Sequence, residues 1–164
     1  CPMGRVSQGA ATPAYGGIVS NVAQILHAKA DHAVHTVSPG ASVFEALAIM
    51  AEKNIGALPV VELGKVVGII GERNYARRIA VVGRSSRDTP VAEIMETRVW
   101  YVEPHNSREQ CMALMTEKRA RHLVVIEDGR LTGLISIGDV VKDTITEQQF
   151  IIEQLEHYIA GVRG

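Results

Sequence analysis

The stretch Gly133-Leu134-Ile135-Ser136-Ile137-Gly138-Asp139 and its earlier counterpart Gly68-Ile69-Ile70-Gly71-Glu72-Arg73-Asn74 decide the fold of this chain. They lie at an offset of 65 residues, and each follows a run rich in Val and Ile. Around them, residues 36–77 align without a gap with residues 101–142 and are identical at 13 of 42 positions. A period of this length indicates a duplicated structural unit, so the chain is predicted to contain two repeats.

Each repeat shows the same order of patterns. A β-prone piece ends in a proline turn at Pro39 or Pro104, and a serine that can cap a helix follows, Ser42 or Ser107. Two apolar runs joined by a Gly-containing turn then predict a β-hairpin, and a second helix begins just after it. The sequence therefore predicts an α/β (α+β) fold of tandem β-α-β-β-α repeats. The two should share one core, since one unit of this size buries little apolar surface alone.

Composition sets the segment boundaries. Residues 1–17 are rich in Gly, Ala and Ser and are predicted to form a flexible tail. The first repeat with its leading helix covers 18–83, a polar linker 84–90, the second repeat 91–146 and a C-terminal helix 147–164. That last helix carries Phe150, Ile151, Leu155 and Ile159 on one side, which fits either packing against the chain's own body or a dimer contact.

The overall composition disfavours several classes of protein. The 164 residues are 46% hydrophobic and 21% charged with a formal net charge of -1, which is typical neither of a disordered chain nor of a nucleic-acid binder. No apolar run approaches the roughly 18 residues of a membrane span. Two cysteines, Cys1 and Cys111, are too few for a disulfide scaffold, so we predict a soluble protein in the reducing cytoplasm. The histidines lack metal-ligand spacing and no P-loop or Gly-x-Gly-x-x-Gly occurs, so we predict neither a metal site nor an enzyme.

The junction of Ser136 and Asp139 is the most informative local feature. The two residues are three apart where a strand gives way to a helix, and the backbone N–H groups there favour a capping side chain or an anion. One interpretation is an ordinary helix cap. The other is that the Asp139 carboxylate accepts the hydroxyls of a ribose, as acidic residues do in dinucleotide-binding folds.

Taken together, these features resemble the cystathionine-β-synthase (CBS) domain pair, also called a Bateman module. The resemblance covers about residues 20–146 and rests on the paired Val-x-Pro turns, Ile-Gly-Ala-Leu-Pro-Val-Val at 55–61, Arg-His-Leu-Val-Val at 121–125 and the stretch that ends at Asp139. It implies a pseudo-twofold module with two clefts between the repeats that bind adenosine-containing ligands such as AMP, ADP, ATP, NAD or S-adenosylmethionine. It also implies a homodimer and a regulatory, non-catalytic role.

The resemblance also assigns candidate site residues. Asp139 and Ser136 would hold the ribose, and Arg121 and His122 the phosphate of the same ligand. The adenine would lie against the first repeat near His35 and the small-residue backbone of Ile55, Gly56 and Ala57. Tyr101 could add an aromatic wall, or it could be edge packing.

The first repeat departs from this pattern. Gly71 and Asn74 stand where the second repeat has Ser136 and Asp139, so the hydroxyl is missing and the carboxylate is an amide. Asn74 can still hydrogen-bond a ribose hydroxyl, without the strength that charge adds. Arg73 and Arg77 could draw a phosphate to this second cleft, or they could form an ordinary solvated basic face.

We therefore predict a regulatory module that senses an adenine nucleotide in clefts between two repeats and signals through dimer geometry, with a separate regulated protein as a further possible partner. The alternative is a ligand-independent interaction scaffold, in which side chains fill the clefts and the last helix recruits a partner.

Overall fold

The computed structural model describes residues 3–5 and 20–163 and confirms two similar halves. The first half contains α1 (Val22–His27), α2 (Val43–Lys53), the hairpin β2 (Ala57–Glu62) and β3 (Lys65–Gly71), and α3 (Glu72–Tyr75), which continues as a π-helical turn, Ala76–Ala80. The second half contains α4 (Val91–Ile94), β4 (Val99–Val102), α5 (Arg108–Lys118), the hairpin β5 (His122–Glu127) and β6 (Arg130–Ser136), and α6 (Ile137–Arg163). A short strand, β1 (Met3–Arg5), precedes both halves.

The predicted serine caps begin the first long helix of each half. Ser42 Oγ accepts the N–H of Glu45 at 3.1 Å, and Ser107 Oγ accepts the N–H of Gln110 at 3.1 Å. These bonds satisfy backbone donors that the first turn of a helix leaves free. Both helices end at a residue with left-handed backbone, Asn54 at φ 53° and Arg119 at φ 52°.

The predicted hairpins also form, with the same two-residue turn. Asp128 and Gly129 have φ values of 52° and 76°, and Leu63 and Gly64 have 50° and 76°. Asp and Gly accept positive φ readily, whereas Leu63 adopts it with its side chain 97% exposed.

The strand at the start of each repeat differs between the halves. In the second half β4 pairs in parallel with β5, which gives the sheet order β1-β4-β5-β6. In the first half the β-prone piece before Pro39 forms only a one-residue bridge, Val37 to Val60, beside the two-stranded sheet β2-β3. The leading strand predicted for the first repeat is therefore reduced to this single bridge.

The predicted flexible tail is also wrong in part. Met3–Arg5 form β1, which pairs in parallel with Val99–Tyr101 of β4. The rest of the predicted tail, residues 1–2 and 6–17, lies outside the described residues.

The core is split in two and the leading helices are exchanged. Val22 and Ile25 of α1 pack into the cluster of the second repeat, and Val91 and Ile94 of α4 pack into that of the first. Two glycines permit this exchange, because a Cβ on Gly133 would lie 2.8 Å from the Leu26 side chain and one on Gly68 would lie 2.6 Å from Met95 Sδ. We expected one shared core with each leading helix on its own repeat. Exchange explains instead how two small cores hold together.

Two further predictions concern Cys111 and the last helix. The Cys111 thiol is fully buried, and burial raises its pKa to about 12, which agrees with a small core residue. The last helix does not pack against the body over its final part, since residues 148–159 are all exposed. In the described part of the chain, no helix combines the length and apolarity that crossing a bilayer requires.

Candidate functional site

Among the depressions between the halves that the described residues line, two clefts are built on one plan. In each cleft, the beginning of one half's second helix faces the beginning of the other half's hairpin. We call them the arginine cleft, marked by Arg73, Arg77 and Arg121, and the aspartate cleft, marked by Lys29 and Asp139. Their volumes are about 710 Å³ and about 660 Å³, and both lie in the range of small-molecule sites.

The arginine cleft places α3 of the first half against β5 of the second. Arg73, Asn74 and Arg77 come from the helical side and Arg121 and His122 from the strand side. Asn74 Oδ1 accepts the N–H of Gly71 at 2.9 Å, so the helix start is capped by the amide.

The charge of the arginine cleft is strongly positive. Seven basic side chains line it against three acidic ones. Arg121 and then Arg77 lower the pKa of Arg73, because each positive charge disfavours its neighbour. Among the residues that the structure describes, no carboxylate forms an ion pair with Arg73, Arg77 or Arg121. The cleft therefore carries an excess of positive charge that no ion pair to these three arginines offsets within the described residues.

The aspartate cleft places α6 of the second half against the first half. Asp139 Oδ2 accepts the N–H of Ser136 at 2.9 Å, and Ser136 Oγ accepts the N–H of Asp139 at 3.1 Å. The same Oδ2 lies 3.0 Å from Lys29 Nζ, which also donates to the Leu134 carbonyl at 2.9 Å. The helix cap and the partly buried ion pair with Lys29 both use the same carboxylate oxygen, Asp139 Oδ2. A ribose diol would therefore have to bind the other oxygen of Asp139 or displace Lys29.

The connector that follows α1 carries Lys29 into the aspartate cleft. Residues 28–35 line the cleft. Within this connector the Asp31 carboxylate lies at hydrogen-bond distance from His35 Nε2, 2.7 Å. The hydrogen bond from His35 holds the pKa of Asp31 below its usual range, and the N–H of Ala33 adds to this effect. The corresponding connector of the second half, between α4 and β4, is shorter and brings Glu96 and Arg98 to the arginine cleft.

His122 lines the arginine cleft and is also influenced by the charges of Lys29 and Asp139 in the aspartate cleft. Its Nε2 would lie 3.6 Å from a Cβ on Gly56, which is an ordinary packing distance, so the imidazole packs beside Gly56. Burial lowers the pKa of His122, Lys29 and Arg121 lower it further, and Asp139 opposes them. The groups that act on this imidazole therefore come from both clefts.

The structure divides the residues that we expected around one ligand. Ser136, Asp139, His35 and Ile55 meet at the aspartate cleft. Arg121, Gly56 and Ala57 lie in the arginine cleft with Arg73, Asn74 and Arg77, and His122 lines it too. Arg121 lines the arginine cleft, and its carbonyl accepts the N–H of Ile137, two residues before Asp139, at 3.0 Å. That Arg121 serves the ligand held by Asp139 stays a prediction.

One predicted site residue, Tyr101, lies outside both clefts, and one residue of the aspartate cleft, Lys29, was not predicted. Tyr101 lies in neither cleft but beside the hairpin ends, in a third depression that also contains His105 and Asp128. Lys29 was missed, because its connector has no counterpart of equal length in the second repeat. Only the exchange of the leading helices brings it to Asp139.

Comparison with known proteins agrees with this architecture. The CBS domain family model matches residues 22–81 and 91–144. The chain belongs to the CBS domain family. It is 42% identical over 125 residues to the CBS domain-containing protein CBSX3, mitochondrial, of Arabidopsis thaliana, covering 73% of this chain and 61% of that protein. It is 34% identical over 115 residues to the CBS domain-containing protein YhcV of Bacillus subtilis, covering 70% and 81%.

A solved structure shows the same fold. A protein with CBS domains from Burkholderia ambifaria superposes with a TM-score of 0.75 at 52% sequence identity, covering 79% of this chain and 96% of that one. CBS domain pairs generally serve regulation or signal transduction. One relative is mitochondrial by name, so the cytoplasmic location of this chain stays a prediction.

Proposed function

We propose that this CBS domain pair is a regulatory module that binds an adenosine-containing nucleotide (AMP, ADP, ATP, NAD or S-adenosylmethionine) between its halves and reports occupancy through dimer geometry. The observation that carries the proposal is the arginine cluster of Arg73, Arg77 and Arg121. These guanidinium groups repel one another and have no carboxylate partner among the described residues. A phosphate group would relieve that repulsion and could be gripped bidentately.

The same cleft offers surfaces for the rest of a nucleotide. Trp100 lines this cleft and offers an aromatic surface, with Lys118 Nζ 4.9 Å from its ring centre, and Gly56 and Ala57 line it beside the His122 ring. The Asn74 amide can still donate to a ribose hydroxyl, since its oxygen is the atom bound to Gly71. We therefore propose the phosphate-rich ligands, ATP and ADP, for the arginine cleft.

The aspartate cleft suits a ligand with less negative charge. Three basic and four acidic side chains line it, so it lacks the excess positive charge that several phosphates would need. Asp139 remains the proposed ribose residue, with Ser136 as its cap and His35 and Ile55 near the base. We therefore propose AMP or a nucleoside such as the adenosyl group of S-adenosylmethionine for this cleft.

Thermal unfolding with added nucleotide tests the proposal. A ligand present at 100 times its dissociation constant should add about 2.7 kcal/mol to the free energy of unfolding and raise the melting temperature. ATP should stabilise more than adenosine if the arginine cluster binds phosphate. Absence of any shift with millimolar ATP, ADP, AMP, NAD and S-adenosylmethionine would contradict nucleotide binding.

A scaffold that needs no ligand is the second candidate function. The observation that favours it is the exposed apolar side of α6, which offers a contact surface regardless of what the clefts hold. Capture of a partner protein from a lysate to the same extent with and without nucleotide would support the scaffold. Capture that changes with nucleotide would support the sensor.

A further inference from the structure

The second part of α6 leaves the body of the molecule. Val140 is buried against the second core, whereas every residue from 148 to 159 is exposed. From Val141 to Ile159 the helix spans about 27 Å at 1.5 Å per residue. Over 148–159 no packing within the described chain supports this helix, and an isolated helix that short is marginal in water. The exposed part of α6 therefore needs a partner.

An ionic cluster fixes the direction in which α6 leaves. Arg108 of α5 is 9% exposed and contacts Asp143 at 3.2 Å and Glu109 at 2.8 Å, and it also pairs with Glu147. Burial works against the charge of Arg108, but Glu147 and Glu109 more than offset it and raise its pKa. The helix is thus anchored on α5 through Asp143 and Glu147, directly before its exposed part begins at residue 148.

A seam at heptad spacing begins at Val141 and continues through the exposed part of α6. Successive seam residues are separated alternately by four and three positions, which is an average of 3.5. The apolar members of the seam are 49–56% exposed. The seam consists of Val141, Ile145, Gln148, Ile152, Leu155 and Ile159.

We propose that this seam pairs with the same seam of a second copy of this chain, as a parallel, in-register, two-stranded coiled coil. The a positions are all isoleucine, at 145, 152 and 159, and the apolar d positions are Val141 and Leu155. Isoleucine at a with leucine at d favours two parallel strands.

The one polar seam residue selects the same arrangement. Gln148 occupies a d position, and only parallel in-register pairing places it against Gln148 of the second copy, where two amides can hydrogen-bond. In an antiparallel pair it would face an apolar side chain and lose its partner.

The positions that flank the seam do not oppose this pairing. In register, Ile151 lies beside Glu156 of the second copy and Thr144 lies beside Gln149 of the second copy. Among the flanking residues whose side chains are described, no two like charges meet, so repulsion does not prevent a pair of identical helices. This inference supplies the dimer contact on which the signalling step of the proposed function rests, and its tests use no nucleotide.

Disulfide formation by matched glutamine replacements tests the register. In a Cys1→Ser background, with Cys111 buried, Gln148→Cys should oxidise almost completely to a disulfide-linked dimer. The control Gln154→Cys, on the far side of the same helix, should give about a tenth of that product or less, because its sulfurs lie beyond bonding distance. Equal cross-linking of the two variants, or none with Gln148→Cys, would overturn the proposal.

Sedimentation equilibrium tests whether the seam holds the dimer. Ile152→Lys should raise the dimer dissociation constant by at least about a hundredfold, since it places two like charges in a buried seam. The control Glu153→Lys, which lies off the seam, should leave it unchanged. A monomeric wild-type chain, or a dimer that Ile152→Lys leaves intact, would overturn the proposal. Unchanged thermal unfolding of the body would show that both variants fold, and nucleotide binding in a monomer would leave the proposed clefts standing.

Discussion

The two clefts of this molecule share a backbone plan and differ in charge. Asn74 Oδ1 and Asp139 Oδ2 each accept a backbone N–H at 2.9 Å from the residue three positions earlier. The uncharged Asn74 amide lines a cleft with a cluster of arginines, whereas the Asp139 carboxylate pairs with Lys29 Nζ at 3.0 Å. The two repeats thus share one backbone frame, and different side chains on it give one cleft an excess of positive charge and the other an internal ion pair.

The largest effect should come from the arginine cluster. Arg73→Ala, Arg77→Ala and Arg121→Ala combined should weaken ATP binding more than about a hundredfold, because hydrogen bonds to charged groups contribute about 1.5–3 kcal/mol each. Loss of mutual repulsion should leave the melting temperature of the ligand-free protein equal or higher. Calorimetric titration with ATP measures the affinity, and Arg130→Ala, an exposed cation outside the cleft, is the control. An unchanged ATP affinity in the triple variant would remove the phosphate role of this cleft.

The next effect should separate Asp139 from Asn74. Asp139→Ala should weaken adenosine or AMP binding in the aspartate cleft by about tenfold to a hundredfold, the range expected for a lost charged hydrogen bond. Asn74→Ala should leave that cleft nearly unchanged, because Asn74 lines the other one. Measuring both in the background without the three arginines isolates the aspartate cleft. Equal losses in the two variants would mean that the sites are wrongly assigned.

The sequence predicted the local features that the two repeats share and missed the features in which they differ. Ser42, Ser107 and the two hairpin turns follow local rules of capping and turn geometry, so the pattern alone indicated them. The pairing of Ser136 with Asp139 was likewise readable as a cap. These features depend on neighbours only a few residues away.

The pairing between halves could not be read in the same way. Which helix start faces which strand start depends on how the two halves dock, and that docking groups Arg121 with Arg73 and Arg77. Lys29 reaches Asp139 only because α1 packs on the other half, where Gly133 leaves room for Leu26. The first half also lacks a full leading strand, since Val37 makes only a single bridge to Val60.

Lys29 should give a smaller effect of opposite sign. Lys29→Met should raise the affinity of the aspartate cleft for uncharged adenosine up to about fivefold, because a partly exposed ion pair worth about 0.2–1 kcal/mol no longer has to be broken. The gain for AMP should be smaller, since Lys29 also supplies a counter-charge for a phosphate. Lys53→Met is the matched control, because Lys53 lines the same cleft and pairs with Glu52 instead. A loss of adenosine affinity in Lys29→Met would show that Lys29 is part of the site and does not compete for it.

The smallest effect should be a pH dependence that links the two clefts through His122. Burial lowers the pKa of His122 in the folded chain. As the pH falls below about 6.5, the unfolded chain therefore binds more protons than the folded chain does. The stabilising effect is therefore present above that pH and is lost as the pH falls through the lowered pKa. His122→Gln should flatten this part of the stability curve, whereas His157→Gln, an exposed residue of α6, should not. Urea unfolding between pH 7.5 and pH 5 measures both.

Nucleotide binding should act on the same imidazole in the opposite direction. A phosphate held by Arg121 would favour protonated His122 and raise its pKa, so ATP affinity should increase as the pH falls, and His122→Gln should remove the increase. Asp139 also raises the pKa of His122, so Asp139→Asn should move the unfolding transition of the ligand-free protein to higher pH. If Asp139→Asn leaves that pH profile where it was, His122 does not couple the clefts, and each responds to its own ligand alone.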